Sequence, residues 1–248
     1  GQAKKPPAES GGIPNPADLP YVEQEDIFEC DGALRTYMRN MADAIPLTSE
    51  NENAIWDEIA ELHDLMRRKL YPFAFVVRLH VKLFEKCRNP DTLYEVFSQS
   101  AVQAIGGTGE VIRLMPTARE ELLDCLKELH SAYAGGDPET IDAARNLLVE
   151  LMMTYPVQMD QIFRSFDMLR TYAGQLKNPG REAESLLAEE LVCTMEEFNS
   201  VYQELEGIYH LLDEKRRVLA EGYLRLVVSI AKSEAKRVLG RQRYSSTP

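Results

Sequence analysis

The sequence has few of the features that mark membrane, secreted or metal-binding proteins. No apolar run approaches the roughly 20 residues of a membrane-spanning helix, and the densest apolar patch, Leu224 to Ala231, is about half that length. The N-terminus has no apolar signal core. The four cysteines are widely spaced and form no C-x-x-C pair. This spacing argues against a metal or redox site and favours reduced thiols in the cytoplasm.

Catalytic patterns are also lacking. The four histidines (His63, His80, His130 and His210) lie far apart on different predicted helices. Adjacent glutamates in a helix point about 100° apart, so the paired glutamates of this chain are solvated faces rather than acid/base dyads. The GGTGE stretch lacks the Gly-Lys-Ser/Thr ending of a phosphate loop and follows no strand, which favours a plain loop. We therefore predict no enzyme activity, no cofactor and no metal site.

The apolar pattern predicts an all-α protein, because no alternating strand pattern occurs anywhere in the chain. Tyr71-Pro72 and Tyr155-Pro156 each separate two predicted helices, and Asp137-Pro138 begins another. Thr48 is a predicted N-cap, and two capping boxes are predicted, one from Thr117 to Glu120 and one from Thr194 to Glu197. GGTG at 106–109 is expected to open an irregular stretch that ends near Pro116. The last helix is expected to end near Leu239.

The charge is distributed unevenly along an acidic chain. The net charge is −12, which argues against a general nucleic-acid coat. From Leu211 to Tyr244, however, nine Lys and Arg face four Asp and Glu, a net charge of +5 that leaves about −17 for the rest. This asymmetry predicts either a basic face on an acidic body or an ordinary solvated helix surface.

Two stretches match a known pattern in the same order. The first, LRTYMRNMADAIPLTSENENAIWDEIAE at 34–61, resembles region 1.2 of primary bacterial RNA polymerase sigma factors. The second, LAEGYLRLVVSIAK at 219–232, is similar to region 2.1 of that family, and Leu224 to Lys232 fit position for position. The family carries a variable helical insert between these regions, as the acidic middle of this chain suggests.

The resemblance implies an all-α helical bundle of sigma-factor region 2 type with a large helical insert. The predicted organisation is a disordered tail at 1–24, region 1.2-like helices at 25–88 and an acidic insert at 89–212. A region 2.1-like helix follows at 213–240, with a flexible end at 241–248. The implied function is a cytoplasmic, non-enzymatic transcription initiation subunit. Its implied partners are bacterial RNA polymerase core and, within the holoenzyme, the non-template strand of promoter DNA, without a membrane.

The resemblance also assigns residues. Arg35 and Arg39 are expected near backbone phosphate, while Tyr37 and Met38 offer flat or apolar surface to an unstacked base. In the region 2.1-like helix the assigned residues are Leu224, Arg225, Val228 and Lys232. The helix from about Leu211 to Leu239 is expected to pack against the helices that bear Arg35 to Met41 and Ile55 to Met66. Its apolar face of Leu224, Val227, Val228 and Ala231 is expected to make that contact.

The chain departs from the family at Tyr223, where Asn is usual, and after Lys232. There the family continues into a polymerase-binding hairpin and an aromatic-rich melting helix. Two alternatives therefore remain beside a sigma-factor fragment or degenerate relative. One is a sigma-like regulator or anti-sigma-type decoy, and the other is an unrelated acidic helical adaptor.

Overall fold

The described part of the protein consists almost entirely of helices joined by short turns. The computed structural model describes residues 48–178 and 180–245, with no side-chain description for Val228, Ser229 and 231–245. Within these ranges there is no strand, which confirms the all-α prediction. The helices are α1 (Ser49–Leu70), α2 (Ala74–Lys86), α3 (Pro90–Val96), α4 (Gln99–Ile105), α5 (Thr108–Gly135), α6 (Pro138–Thr154), α7 (Met159–Gln175), α8 (Arg181–Leu186), a π-helix (Leu187–Leu191) and α9 (Met195–Ser245).

The chain forms two compact units. Among the described residues, one comprises 48–60 with 211–245, and the other lies within 61–210. In the second unit α5 packs against both α2 and α6. Its core is built from large apolar side chains without exposed surface, among them Phe84, Phe97, Leu122, Leu129 and Phe166. The regions predicted from the family resemblance are a different division and stay predictions.

Several predicted helix boundaries are confirmed. The hydroxyl of Thr48 accepts a hydrogen bond from the Asn51 backbone N–H at 3.2 Å, so Thr48 caps α1. The Asp137 carboxylate accepts one from the Thr140 N–H at 3.1 Å and caps α6. Tyr71-Pro72 lies between α1 and α2, and Tyr155-Pro156 between α6 and α7.

The second predicted capping box is present and the first is not. Thr194 Oγ1 accepts from the Glu197 N–H at 3.2 Å, and the Glu197 carboxylate accepts from the Thr194 N–H at 2.8 Å. Thr117, by contrast, lies inside α5, which begins at Thr108 and runs through Pro116. The predicted irregular stretch at 106–116 is therefore wrong beyond Gly107.

The reason for the longer α5 is burial. Its apolar side chains recur every three or four residues on one face, and all of them are buried: Val111, Met115, Ala118, Leu122, Leu126 and Leu129. Proline in a helix interior costs about 3 kcal/mol. Burying this face outweighs that cost.

The final helix also extends further than predicted. Helix α9 continues to Ser245, six residues beyond the expected end near Leu239. No helix in the described part of the chain is both long enough and apolar enough to cross a membrane.

Candidate functional site

The structure describes only part of the predicted site. Arg35, Tyr37, Met38 and Arg39, the residues assigned to DNA, lie outside the described residues. In the region 2.1-like helix, Leu224 is exposed and Arg225 is half-buried. Val228 and Lys232 belong to α9, and their side chains are outside the description.

In the first unit, the part of α1 from Glu52 to Glu58 and the part of α9 from Lys215 to Tyr223 run antiparallel. The Tyr223 hydroxyl donates to the Glu52 carboxylate, and Lys215 forms an ion pair with Glu58. As the residue number rises along α1 it falls along α9, which fixes the opposite direction of the two helices. Helix α9 thus contacts α1 through polar side chains, but Leu224 and Val227, which belong to the apolar face predicted to make the packing, are exposed. Its predicted packing on the 35–41 segment lies outside the described residues.

Tyr223 is held at a polar contact on an otherwise apolar surface. The Glu52 carboxylate, which accepts the hydroxyl's hydrogen bond, raises the pKa of Tyr223, while the nearby Trp56 side chain acts in the opposite direction. The sequence resemblance places Tyr223 at a position that is usually Asn. In this chain it makes a contact between α1 and α9.

Next to this contact lies a line of exposed apolar side chains. On α9 it consists of Tyr223, Leu224, Val227 and Ile230, and we call these four residues the apolar stripe. Their spacing places them on one helix face, and Leu224 and Val227 are 45% and 59% exposed. Contiguous exposed apolar surface marks interaction sites in soluble proteins. The stripe is therefore the part of the predicted site that is suited to contact a partner.

The predicted basic face is reduced by pairing within the chain. Lys215 pairs with Glu58, and Arg217 lies 3.7 Å from Glu221. Arg216 and Arg225 also interact within the chain. The basic face consequently depends on the five Lys and Arg residues between Lys232 and Arg243, whose side chains are not described.

The second unit contains a cleft that the sequence analysis missed. It encloses about 540 Å³, a volume typical of ligand pockets. Leu65, Phe73 and Val149 supply apolar lining, and the exposed Arg68–Glu150 ion pair (2.7 Å) joins α1 to α6 at the cleft. No sequence motif marks this site, because its residues come from segments as far apart as 65 and 201.

One wall of the cleft has unusual backbone geometry. The π-helix ends at Leu191, and the next residue, Val192, has a left-handed conformation with φ 52° and ψ 51°. A β-branched residue rarely adopts this conformation, which costs about 1–3 kcal/mol. Arg145 compensates, since it donates to the Val192 carbonyl at 3.0 Å and to the Glu197 carboxylate at 2.9 Å. Arg145 thereby ties the strained turn to the capping box of α9.

Two ionisable side chains of this cleft have shifted pKa values. Burial raises the pKa of the Cys193 thiol to about 12, so the thiol stays protonated at neutral pH. The Arg145 hydrogen bond holds the pKa of Glu197 below its ordinary value, so this carboxylate stays ionised. Among the described residues, no group of three or more His, Cys, Asp or Glu is arranged to hold a metal ion.

Comparison of the chain with protein-family models, with curated proteins and with solved structures finds no match.

Proposed function

We propose that this chain is a sigma-factor-like transcription initiation subunit, either a fragment or a degenerate relative, that associates with bacterial RNA polymerase core. It acts in the cytoplasm and performs no catalysis of its own. The observation that carries the proposal is the antiparallel contact of α1 and α9 through Glu52–Tyr223 and Glu58–Lys215. These helices bear the described parts of the two family-like motifs, and the acidic helical segment between them forms a separate unit.

The apolar stripe supports the same proposal. Leu224 and Val227 belong to the best-matching part of the region 2.1-like motif and are exposed. Exposing large apolar side chains on a helix is unfavourable unless a partner covers them. In this proposal the polymerase core covers the stripe.

The proposed role at DNA follows from the resemblance alone. Arg35 and Arg39 would hold the phosphate backbone of the non-template strand, and Tyr37 and Met38 would support an unstacked base. Phosphate contacts position the strand without reading its sequence, whereas stacking is worth about 1–3 kcal/mol per base. This contact is proposed for the holoenzyme.

A sigma-like regulator that occupies polymerase without directing initiation is the second candidate. The observation that favours it is the uninterrupted course of α9 to Ser245. In the family the corresponding helix gives way to a polymerase-binding hairpin. A helix that continues past Lys232 would present the stripe where the family has its hairpin.

The direct test is binding of the whole chain to bacterial RNA polymerase core, measured by fluorescence anisotropy. Val227→Glu places a charge on the stripe and should weaken binding at least about tenfold, or about 1.4 kcal/mol. Leu147→Glu is the matched control, because Leu147 is also exposed (54%) but lies on α6 in the other unit. It should bind like the unchanged chain.

The outcomes separate the alternatives. Binding that supports promoter-specific initiation favours the initiation subunit, and binding that blocks a resident sigma factor favours the regulator. Absence of binding at micromolar concentrations, or equal loss in both variants, would reject both and favour the acidic adaptor.

A further inference from the structure

The cleft in the unit of residues 61–210 is bordered by three helices, and an ion pair joins each helix to each of the other two. These pairs are Arg68–Glu150 at 2.7 Å between α1 and α6, Lys69–Glu204 at 2.5 Å between α1 and α9, and Arg145–Glu197 at 2.9 Å between α6 and α9. The three walls are thereby fixed to one another. The cleft is therefore formed before any ligand binds, as is usual for small-molecule sites.

The charged side chains that line the cleft, among the described residues, balance one another. Three are cations and three are anions: Arg68, Lys69, Arg145, Asp142, Glu150 and Glu197. Each of them forms an ion pair within the chain, including Asp142, which lies 3.6 Å from Arg145. A charged ligand would have to displace one of these pairs, because burying a charge without a partner is unfavourable. The lining therefore favours an uncharged ligand.

The most buried part of the lining is apolar. It consists of the buried Phe73, Val149, Leu191 and Val192 and the half-buried Val201. The Cys193 thiol, whose pKa is raised by burial, also lines the cleft and adds no charge at neutral pH. An apolar ligand that covers these side chains is stabilised by the surface that it removes from water.

The backbone of one wall supports a binding role. The π-helix of Leu187–Leu191 is followed directly by the left-handed Val192, and Leu191 and Val192 both line the cleft. π-Helical turns and strained non-glycine residues are both rare, and both occur frequently at functional sites. Two independent features, an enclosed apolar space and a strained wall, thus coincide at the same place.

We propose that this cleft binds one uncharged, mainly apolar small molecule that fits a space of about 540 Å³. The apolar body of the ligand contacts Phe73, Val149 and Val201, and the three ion pairs around it stay intact. This inference goes beyond the proposed function and does not depend on it. All of the lining residues belong to the unit of residues 61–210, and none belongs to the apolar stripe.

The test compares three naphthalene compounds for binding to the whole chain at neutral pH, measured by NMR of its methyl groups. 2-Naphthalenemethanol is uncharged, 2-naphthylmethylamine is a cation and 2-naphthoate is an anion, and all three have the same ring system. The uncharged compound should bind at least about tenfold more tightly than either charged one. The largest shifts are expected at Val149, Leu191 and Val201. Equal affinity for the three compounds, no saturable binding, or shifts confined to other residues would overturn the proposal.

Blocking the cleft provides a second measurement. Leu65 lines the cleft and is 42% exposed, so Leu65→Trp adds a large ring there without disturbing the core. It should weaken binding of 2-naphthalenemethanol at least about tenfold through a steric clash. Leu147→Trp is the matched control, because Leu147 is 54% exposed and does not line the cleft. Equal affinity in the two variants would contradict the proposed site.

Glu197→Gln tests the charge argument separately. A glutamine preserves the capping box at this position, but it removes the carboxylate that pairs with Arg145. The affinity for 2-naphthoate should then rise about fivefold, and that for 2-naphthalenemethanol should stay the same. Glu206→Gln is the control on the same helix, because Glu206 pairs with Arg170 and does not line the cleft. No gain in 2-naphthoate binding for Glu197→Gln, or an equal gain in the control, would contradict selection of an uncharged ligand by ion pairing.

Discussion

At the scale of single residues, two polar side chains are decisive for the unit of residues 61–210. His80 is enclosed by apolar and aromatic neighbours, and Arg145 connects a strained turn to a helix cap. Burying a polar group is costly unless it remains neutral or is hydrogen-bonded. His80 is buried in its neutral form, and Arg145 is hydrogen-bonded. Each of these two residues gives a separate prediction.

Stability should fall as His80 is forced to accept a proton. Burial lowers the pKa of His80 from 6.5 to about 4, so below pH 6.5 the unfolded chain binds a proton that the folded unit does not. The contribution of neutral His80 to the free energy of unfolding is therefore fully present above pH 6.5, and it is lost as the pH falls towards 4. Between pH 6.5 and 5 the loss from this group should be about 2 kcal/mol.

Urea unfolding of the chain and of His80→Leu at several pH values measures this loss. The range above pH 5 lies above the ordinary pKa of the glutamates, so carboxylate protonation contributes little there. The variant should show a nearly flat profile from pH 6.5 to 5. Equal slopes for both proteins would show that His80 does not cause the dependence.

Removing the guanidinium of Arg145 should destabilise the same unit. Arg145→Ala leaves the Val192 carbonyl and the Glu197 carboxylate without this donor, at a cost of about 2 kcal/mol in the free energy of unfolding. Arg145→Lys should recover only part of it, since an ammonium cannot reproduce the planar fork. Arg113→Ala is the control: Arg113 forms an exposed pair with Glu110 and should change stability by less than about 0.5 kcal/mol. Similar losses at both arginines would contradict the proposed bracing of the turn.

At the scale of elements, one of the two predicted capping-box sequences begins a helix and the other lies inside one. Thr194 caps α9 through its hydroxyl, whereas Thr117 is an exposed residue in the interior of α5. The same Thr-x-x-Glu pattern thus caps a helix at 194–197 and is part of a helix interior at 117–120. The difference arises because the face of α5 that includes Val111 and Met115, ahead of Thr117, is buried.

Alanine substitutions separate the two cases. Thr194→Ala should cost about 1 kcal/mol, because the first turn of α9 loses its side-chain acceptor. Thr117→Ala should be neutral or stabilising by a few tenths of a kcal/mol, because alanine is the better helix former. Thermal unfolding of the two variants checks this. A larger loss for Thr117→Ala than for Thr194→Ala would mean that α5 begins near residue 117 in solution.

At the scale of the whole molecule, the charge limits what the isolated chain can bind. A net charge near −12 repels phosphate, and part of the basic segment after Leu211 is paired within the chain. We expect weak or undetectable binding to duplex DNA at physiological salt, and at most weak binding to single strands at low salt. Whatever binding occurs should decrease when Arg35 and Arg39 are changed to Ala.

Fluorescence anisotropy with a short non-template oligonucleotide measures this at two salt concentrations. Arg113→Ala, on α5, is the control for loss of positive charge elsewhere. Tight, sequence-selective binding of the isolated chain to duplex DNA would place its DNA site somewhere other than the Arg35–Arg39 segment.

The sequence by itself determined the features that depend on neighbouring residues. The all-α class follows from apolar periodicity, and the caps at Thr48, Asp137 and Thr194 follow from side chains that bond to backbone groups three residues away. The contact between α1 and α9 was also predicted, although from a family resemblance rather than from local chemistry.

Only the tertiary structure decided the features that depend on distant residues. Burial of the face beginning at Val111 carries α5 through Pro116, and Arg145, 47 residues away in the chain, holds the strained turn at Val192. The exposure of Val227 is likewise a matter of what packs nearby, since an apolar helix face has the same sequence whether it is covered or not. Local sequence patterns predict where a helix begins and which of its faces is apolar. The free energy gained by burying that face depends on the residues that pack against it in the folded structure.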